Sequence, residues 1–316
     1  MVRVFLFLLF SCGLQAASFF DETEASFKQY VQTREDKERY AFFKNRFEKQ
    51  SQSSPTLGPP KTFHFIWLGP KLVSQEAISA IQSWLDIHPA WVGKFWSDQE
   101  HPLPDARLQK MGLRDFPLQN RTACYFDSDN EEERSELLRY AILFNEGGVY
   151  VDLETKCVQS IDSLQANFDF FCELEPFGPS ILSSSVNVSP RLIGAASQHP
   201  VLFQTLSWVQ ENWKRVEEKF PGNDPVSVGN RVKHRTFKAF NQGVVQGIEQ
   251  GNYRNIVFAP NCFKAFCRGF LKEAGPVKQM RQIEKRLSST ALLLYCLAGI
   301  NCALAVVVLR KRRARV

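Results

Sequence analysis

Between Ser128 and Glu154 the chain spells out a helix, a stop and a strand in immediate succession, and few folds accommodate that order. Ser128 and Glu131 are spaced as a capping box. Leu137, Leu138, Ala141 and Ile142 then form an apolar stripe at helical spacing, and Arg134, Glu136 and Arg139 lie on the same helix. Gly147-Gly148 ends it, because glycine accepts the left-handed conformation that closes a helix. Val149-Tyr150-Val151 is a short apolar strand, and Asp152-Leu153-Glu154 follows at its C-terminal end. In open α/β sheets ligands bind at that end of the strands.

Upstream, Lys61–Leu68 reads as a buried strand that stops at Gly69-Pro70. Ser74 is placed to cap a helix running through Leu85, with Ile78, Ile81 and Leu85 on one face. Trp91–Trp96 is a second apolar run that closes at Ser97-Asp98. Strand, helix and strand in this order open a parallel α/β sheet. Phe27, Tyr30 and Val31, then Tyr40, Phe43 and Phe47, recur at helical spacing. That pattern predicts one or two helices packed on the domain, or a stalk. Ser51–Pro60 is a loop by composition.

The two ends suggest a membrane protein. Arg3 precedes an apolar run from Val4 to Phe10 and then small residues, the pattern of a secretory signal peptide over residues 1–17. Leu287–Leu309 is an uncharged apolar run, and a bilayer needs roughly 20 such residues. Arg310, Lys311, Arg312, Arg313 and Arg315 follow it, and by the positive-inside rule this tail faces the cytoplasm. The net charge of +6 belongs mostly to that tail. The remaining body is nearly neutral, which argues against nucleic acid as a partner. The expected organisation is a signal peptide (1–17), an N-terminal helical segment (18–58), an α/β domain (59–286), a transmembrane helix (287–309) and a basic tail (310–316). It is single-pass, with the body on the non-cytoplasmic side or delivered to a host membrane. Cys262 and Cys267 are close enough in sequence to pair, though spacing does not establish connectivity. Asn120-Arg121-Thr122 and Asn187-Val188-Ser189 match the glycosylation pattern.

Two carboxylates one residue apart at a strand end, Asp152 and Glu154, suit a hard cation such as Mn²⁺ or Mg²⁺ when a diphosphate supplies the other oxygens. A D-x-E triplet is also commonly a solvated turn, and its place after a helix–Gly-Gly–strand unit favours the ligand reading. Glu136 and Arg139 share a helix face, either as a surface ion pair or as partners for sugar hydroxyls and phosphate. Trp67 is either a core residue or a stacking platform for a base. His64, alternating with apolar positions, reads as structural.

Lys61-Thr62-Phe63-His64-Phe65-Ile66-Trp67-Leu68-Gly69 resembles the opening "IPKxIHxIWxG" of glycosyltransferases with the DXD sugar-binding region. Arg134–Tyr140 followed by Gly147–Glu154 is similar to their "RxSDxxRYxxLxxxGGxYxDxD", and Asn187–Pro200 fits an "N…HP" segment. The family includes fungal initiating mannosyltransferases and the catalytic domains of large glucosylating toxins. The resemblance implies a GT-A-like nucleotide-sugar-binding sheet with added helices. It also implies a metal-dependent hexosyltransferase that uses Mn²⁺ or Mg²⁺ and retains anomeric configuration. The donor would be a UDP- or GDP-linked sugar, and the acceptor an unidentified glycan, lipid or protein. On this resemblance Trp67 stacks on the base and Arg139 contacts sugar or diphosphate. Tyr150 lines the donor pocket, Asp152 holds ribose or sugar and the metal, and Glu154 ligates the metal directly. Glu136 and Glu154 stand where the family has Asp. Those departures leave a second expectation open, a catalytically degenerate nucleotide-sugar-binding membrane protein.

Overall fold

The computed structural model describes residues 19, 22, 24–48, 58–113, 116, 124–179 and 182–269. The expected signal peptide, membrane span, basic tail and Asn120 sequon lie outside them. Among the described residues no helix is long and apolar enough to cross a membrane.

Two N-terminal helices, α1 (Ala25–Tyr30) and α2 (Arg34–Glu48), precede the sheet. They are not a stalk. Tyr40 and Phe43 of α2 are buried in the main core, and Phe47 packs edge-on against Phe258 at 6.3 Å. Strand β1 (Thr62–Ile66) leads through α3 (Gln75–Ile87) to β2 (Val92–Ser97) and β3 (Leu108–Gly112). Helix α4 (Glu131–Glu146) leads into β4 (Gly148–Val151). Then come β5 (Lys156–Cys157), α5 (Asp162–Asn167), β6 (Phe170–Glu173) and β7 (Leu192–Ala195). The long helix α6 (Pro200–Lys219) is followed by α7 (Pro225–Lys233), a π turn (His234–Lys238) and α8 (Ala239–Gly247). Strands β8 (Asn255–Phe258) and β9 (Cys267–Arg268) complete the described chain.

The central sheet has the order β3-β2-β1-β4-β7-β6-β8, and β5 with β9 forms a separate pair. β1 runs parallel to both β2 and β4, β2 to β3, and β6 to β8. β7 alone is antiparallel to its neighbours β4 and β6. The molecule is thus an α/β fold with a mostly parallel sheet, as the strand–helix–strand opening predicts. Because side chains alternate along a strand, the sheet separates two cores. Phe63, Phe65, Phe95, Val149 and Val151 face α3 and its Ile81 and Trp84. Ile66, Trp96 and Tyr150 face the other way, towards Leu138, Ile142 and Leu202.

Several local expectations are corrected. The N-cap of α4 is Asn130, whose side chain accepts from Glu133 N–H at 2.9 Å. Ser128 instead donates to the Glu133 carboxylate at 2.7 Å. An Asx side chain directly before the first turn reaches the orphan N–H groups with less backbone distortion than a serine two residues further out. The buried stripe of α3 runs through Ala77, Ala80, Ile81, Trp84 and Leu85, while Ile78 is only half-buried. Trp84 displaces it because its larger ring fills the space above Phe63 at 5.3 Å. Cys262 and Cys267 are both free thiols. Asn187 is buried and donates to Ser184 O at 2.7 Å, so its amide is committed to a loop and unavailable to a glycan.

Candidate active site

The pair Gly147-Gly148 sets the geometry. Both residues have positive φ, 67° and 101°. A Cβ on Gly148 would sit 2.8 Å from both His64 Nε2 and Thr62 O. Helix α4 can therefore turn directly into β4 only with glycine here. His64 seals the join. Its Nε2–H donates to Gly147 O at 2.8 Å, and its Nδ1 accepts from Trp96 Nε1–H at 3.1 Å. Burial pushes its pKa down to about 4, so the ring is neutral, a structural histidine as the alternation suggests.

This join lays the start of α4 beside the C-terminal ends of β1 and β4, where a cavity of about 310 Å³ opens. Trp67, Glu136, Arg139, Tyr150, Asp152 and Glu154 all line it. Every site residue expected from the sequence is therefore brought to one cleft. Trp67 stands at its rim, half-buried, with its indole N–H donating to Lys71 O at 2.6 Å. Tyr150 is an inward residue of β4 on the α4 side. Asp152 N–H donates to Arg191 O at 2.9 Å, its Oδ1 accepts from Glu154 N–H at 3.1 Å, and its carbonyl accepts from Thr155 N–H at 2.9 Å. That tight turn carries Asp152 and Glu154 to the same opening, Asp152 half-buried and Glu154 exposed.

Arg139 is the anchor. Its side chain is only 4% exposed. Its guanidinium donates to Pro190 O at 2.8 Å, to Glu136 Oε1 at 2.8 Å and to Tyr150 OH at 2.9 Å, and it lies 3.9 Å from the Tyr150 ring centroid. The surface ion pair of the plainer sequence reading is thus one between a buried Arg139 and a half-buried Glu136 at the cleft wall. Burial pushes the Glu136 carboxyl above its ordinary range, and the Arg139 charge opposes that.

Sequence reasoning missed Glu132 and Ser135. Both line the cleft, and with Glu136 and Arg139 they stand at i, i+3, i+4 and i+7 of α4, so helical spacing alone was the available signal. Burial, reinforced by the nearby charge of Glu136, pushes Glu132 up to about 7. With Glu131 included, the cleft presents five carboxylates (Glu131, Glu132, Glu136, Asp152, Glu154) against one guanidinium. Such an excess attracts cations and repels an unaccompanied anion. Among the described residues no three His, Cys, Asp or Glu side chains converge as a metal site. Asp152 and Glu154 thus offer two hard oxygen ligands that would need others from a bound molecule or water.

Beside this cleft, at the ends of β2 and β3, lies a larger hollow of about 1020 Å³ that includes Asp98, Tyr125 and Arg134. Asp98 Oδ1 accepts from Gly69 N–H at 2.8 Å, two residues beyond Trp67, so the two cavities adjoin along one turn.

The chain is 24% identical over 161 residues to inositol phosphoceramide mannosyltransferase 3 of Schizosaccharomyces pombe, covering 51% of this chain and 40% of that protein. It is 22% identical over 259 residues to mannosyl phosphorylinositol ceramide synthase CSH1 of Saccharomyces cerevisiae, covering 78% and 61%. It therefore spans less than two thirds of either relative. The solved PaToxG glycosyltransferase is 18% identical and covers 67% of this chain and 78% of its own, with a TM-score of 0.49. Residues 74–171, which hold α3, α4, β4 and the Asp152-Leu153-Glu154 turn, match the family described as the glycosyltransferase sugar-binding region containing DXD motif.

Proposed function

We propose that this protein is a membrane-anchored hexosyltransferase of GT-A type, moving a sugar with retention from a UDP- or GDP-linked donor to a glycan, lipid or protein acceptor. The observation that carries the proposal is the convergence of Trp67, Glu136, Arg139, Tyr150, Asp152 and Glu154 on one cleft at the C-terminal ends of β1 and β4. The similarity to enzymes named as mannosyltransferases acting on inositol phosphoceramides makes a mannosyl donor and a lipid acceptor the first to test.

In this reading Trp67, oriented by its bond to Lys71, stacks on the base. Arg139, held rigid by Pro190, Glu136 and Tyr150, places a fixed positive charge where charge gathers on the departing diphosphate, a pre-organised effect. Asp152 and Glu154 fit a divalent cation as two oxygen ligands in an acidic cleft. When bound, Mn²⁺ or Mg²⁺ supplies Lewis-acid neutralisation of the leaving group. Glu136 and Tyr150 keep the guanidinium aimed, and Glu132, poised near neutrality, is placed to exchange a hydrogen bond with a sugar hydroxyl.

The alternative is a protein that binds nucleotide sugars without turnover. It rests on the Asp-to-Glu departures at 136 and 154, and on Glu136 Oε1 being engaged by Arg139 at the cleft wall. One experiment separates the two: full-length protein with Mn²⁺ and a panel of nucleotide sugars, followed for donor hydrolysis and for binding. Turnover of at least one donor is expected. Binding without turnover by any of them supports the degenerate reading, and neither binding nor turnover sinks both.

A further inference from the structure

A second charged feature lies on the helical layer, apart from the cleft. On α6, Trp208, Asn212, Arg215 and Lys219 fall at i, i+4, i+7 and i+11 and share one stripe. The chain returns alongside as α7 and the π turn, bringing Lys233, His234 and Lys238. Ring contacts join the two segments at Trp208 and at Phe220, and Lys219 lies against the second of these rings. Lys238 Nζ lies 5.9 Å from the Trp208 ring centroid, the rings of His234 and Phe220 are 4.8 Å apart, and Lys219 Nζ lies 5.2 Å from the Phe220 ring. Arg215 and Lys219 are exposed, and Trp208, Phe220, Lys233, His234 and Lys238 are half-buried.

These cations crowd one another. Lys238 is held below its ordinary pKa first by burial and then by Lys219 and Arg215, with Glu35 opposing. His234 is lowered by burial and by Lys238, Lys219 and Lys233, against a hydrogen bond to Asn230 O. Like charges fixed on packed helices repel, and an anionic partner relieves that repulsion. Residues 18–269 carry 28 Lys and Arg against 31 Asp and Glu, so this cation cluster stands out on a slightly acidic body, and it is a short stripe, not the extended basic track that a nucleic-acid backbone needs.

We propose that this face docks the folded body on a bilayer leaflet carrying anionic headgroups. Long Lys and Arg stems reach headgroup phosphates while their charges stay wet. Trp208 and Phe220 supply the aromatic rings that settle at the interface. Behind this face, Thr236 O of the π turn accepts from Tyr140 OH at 3.4 Å, and Tyr140 OH also reaches Glu136 Oε2 at 3.5 Å, so the π turn packs on the helix that carries the cleft residues.

The test is lysine acylation footprinting of the full-length protein reconstituted in phosphatidylcholine vesicles, with and without phosphatidylserine. Lys219 and Lys238 are expected to react more slowly on the anionic vesicles, by about fivefold for each cation engaged. High salt should erase the difference, and Lys61 and Lys110 should react alike on both. Since the readout is residue by residue, an anchor elsewhere that holds the protein on both membranes does not mask it. Equal rates at Lys219 and Lys238 on the two vesicles would overturn the proposal. Protection by an RNA duplex but not by phosphatidylserine would also overturn it. The paired change Arg215→Glu with Lys219→Glu alters only exposed side chains. It is expected to return Lys238 to its rate on neutral vesicles, and retained protection in that variant counts against the patch.

Discussion

Arg139 shows how one side chain links stability to the site. It is buried, with three hydrogen-bonding partners drawn from α4, β4 and the turn before β7. Arg139→Ala leaves the half-buried Glu136 without its counter-charge, and the expected cost is at most about 3 kcal/mol, read from chemical denaturation. Arg139→Lys keeps the charge but loses the planar fork, so it should spare more stability than the alanine variant while still abolishing donor binding. Glu132 carries a different prediction. Its pKa rises from the ordinary 4.5 to about 7 in the folded state. A carboxyl raised in this way favours folding while it is protonated, in full below about pH 4.5, and that contribution is lost as pH rises through about 7. Stability should therefore fall across that window in the wild type, and Glu132→Gln should flatten the slope. Mn²⁺ affinity should move oppositely, rising as Glu132 ionises in the cleft that Asp152 also lines. Titration calorimetry at pH 6 and pH 8 checks this, and equal affinities would remove Glu132 from the site's electrostatics.

At the level of elements, the turn from α4 into β4 is a tightly constrained joint. Gly148→Ala must adopt φ near 101° and push against His64 and Thr62 O. Its expected cost is at least on the order of 1–3 kcal/mol, and a denaturation midpoint unchanged from wild type would contradict this account. Asn130→Ala should cost about 1 kcal/mol by removing the α4 cap, and Ser128→Ala should leave that cap intact. The same joint shows what was legible beforehand. A helical stripe, two glycines and an apolar triplet identify α4 and β4 from sequence, because each is a local preference. The cap was misplaced by two residues because Ser128 and Asn130 are both competent cap residues, and only the path of the incoming chain selects between them. The face of α3 was misread for a related reason. Periodicity marks a stripe, but the shape of the opposing Phe63 and Trp91 decides that Trp84, rather than Ile78, fills it.

For the whole molecule, the N-terminal helices are part of the fold. Phe43 is fully buried against the α4 side of the sheet, so Phe43→Ala is expected to cost about 3–5 kcal/mol, as other core aromatic truncations do. Thermal denaturation would show it, and an unchanged midpoint would restore the stalk reading. What the sequence determined by itself is the set of short-range facts. These are an α/β succession of elements, a carboxylate pair at a strand end, a glycine pair that stops a helix, and motifs resembling the DXD glycosyltransferases. Each depends on neighbours within a helical turn or a strand, so each is written in consecutive residues. Only the tertiary structure decided that β7 runs against its neighbours and that Arg139 is held nearly buried in the wall of the cleft. It also decided that Glu132 joins the cleft, and that cations from α6 and the π turn meet on one face. Those outcomes depend on segments far apart in the chain being packed together, and the burial and mutual charge that follow exist only once the sheet and its helices have closed.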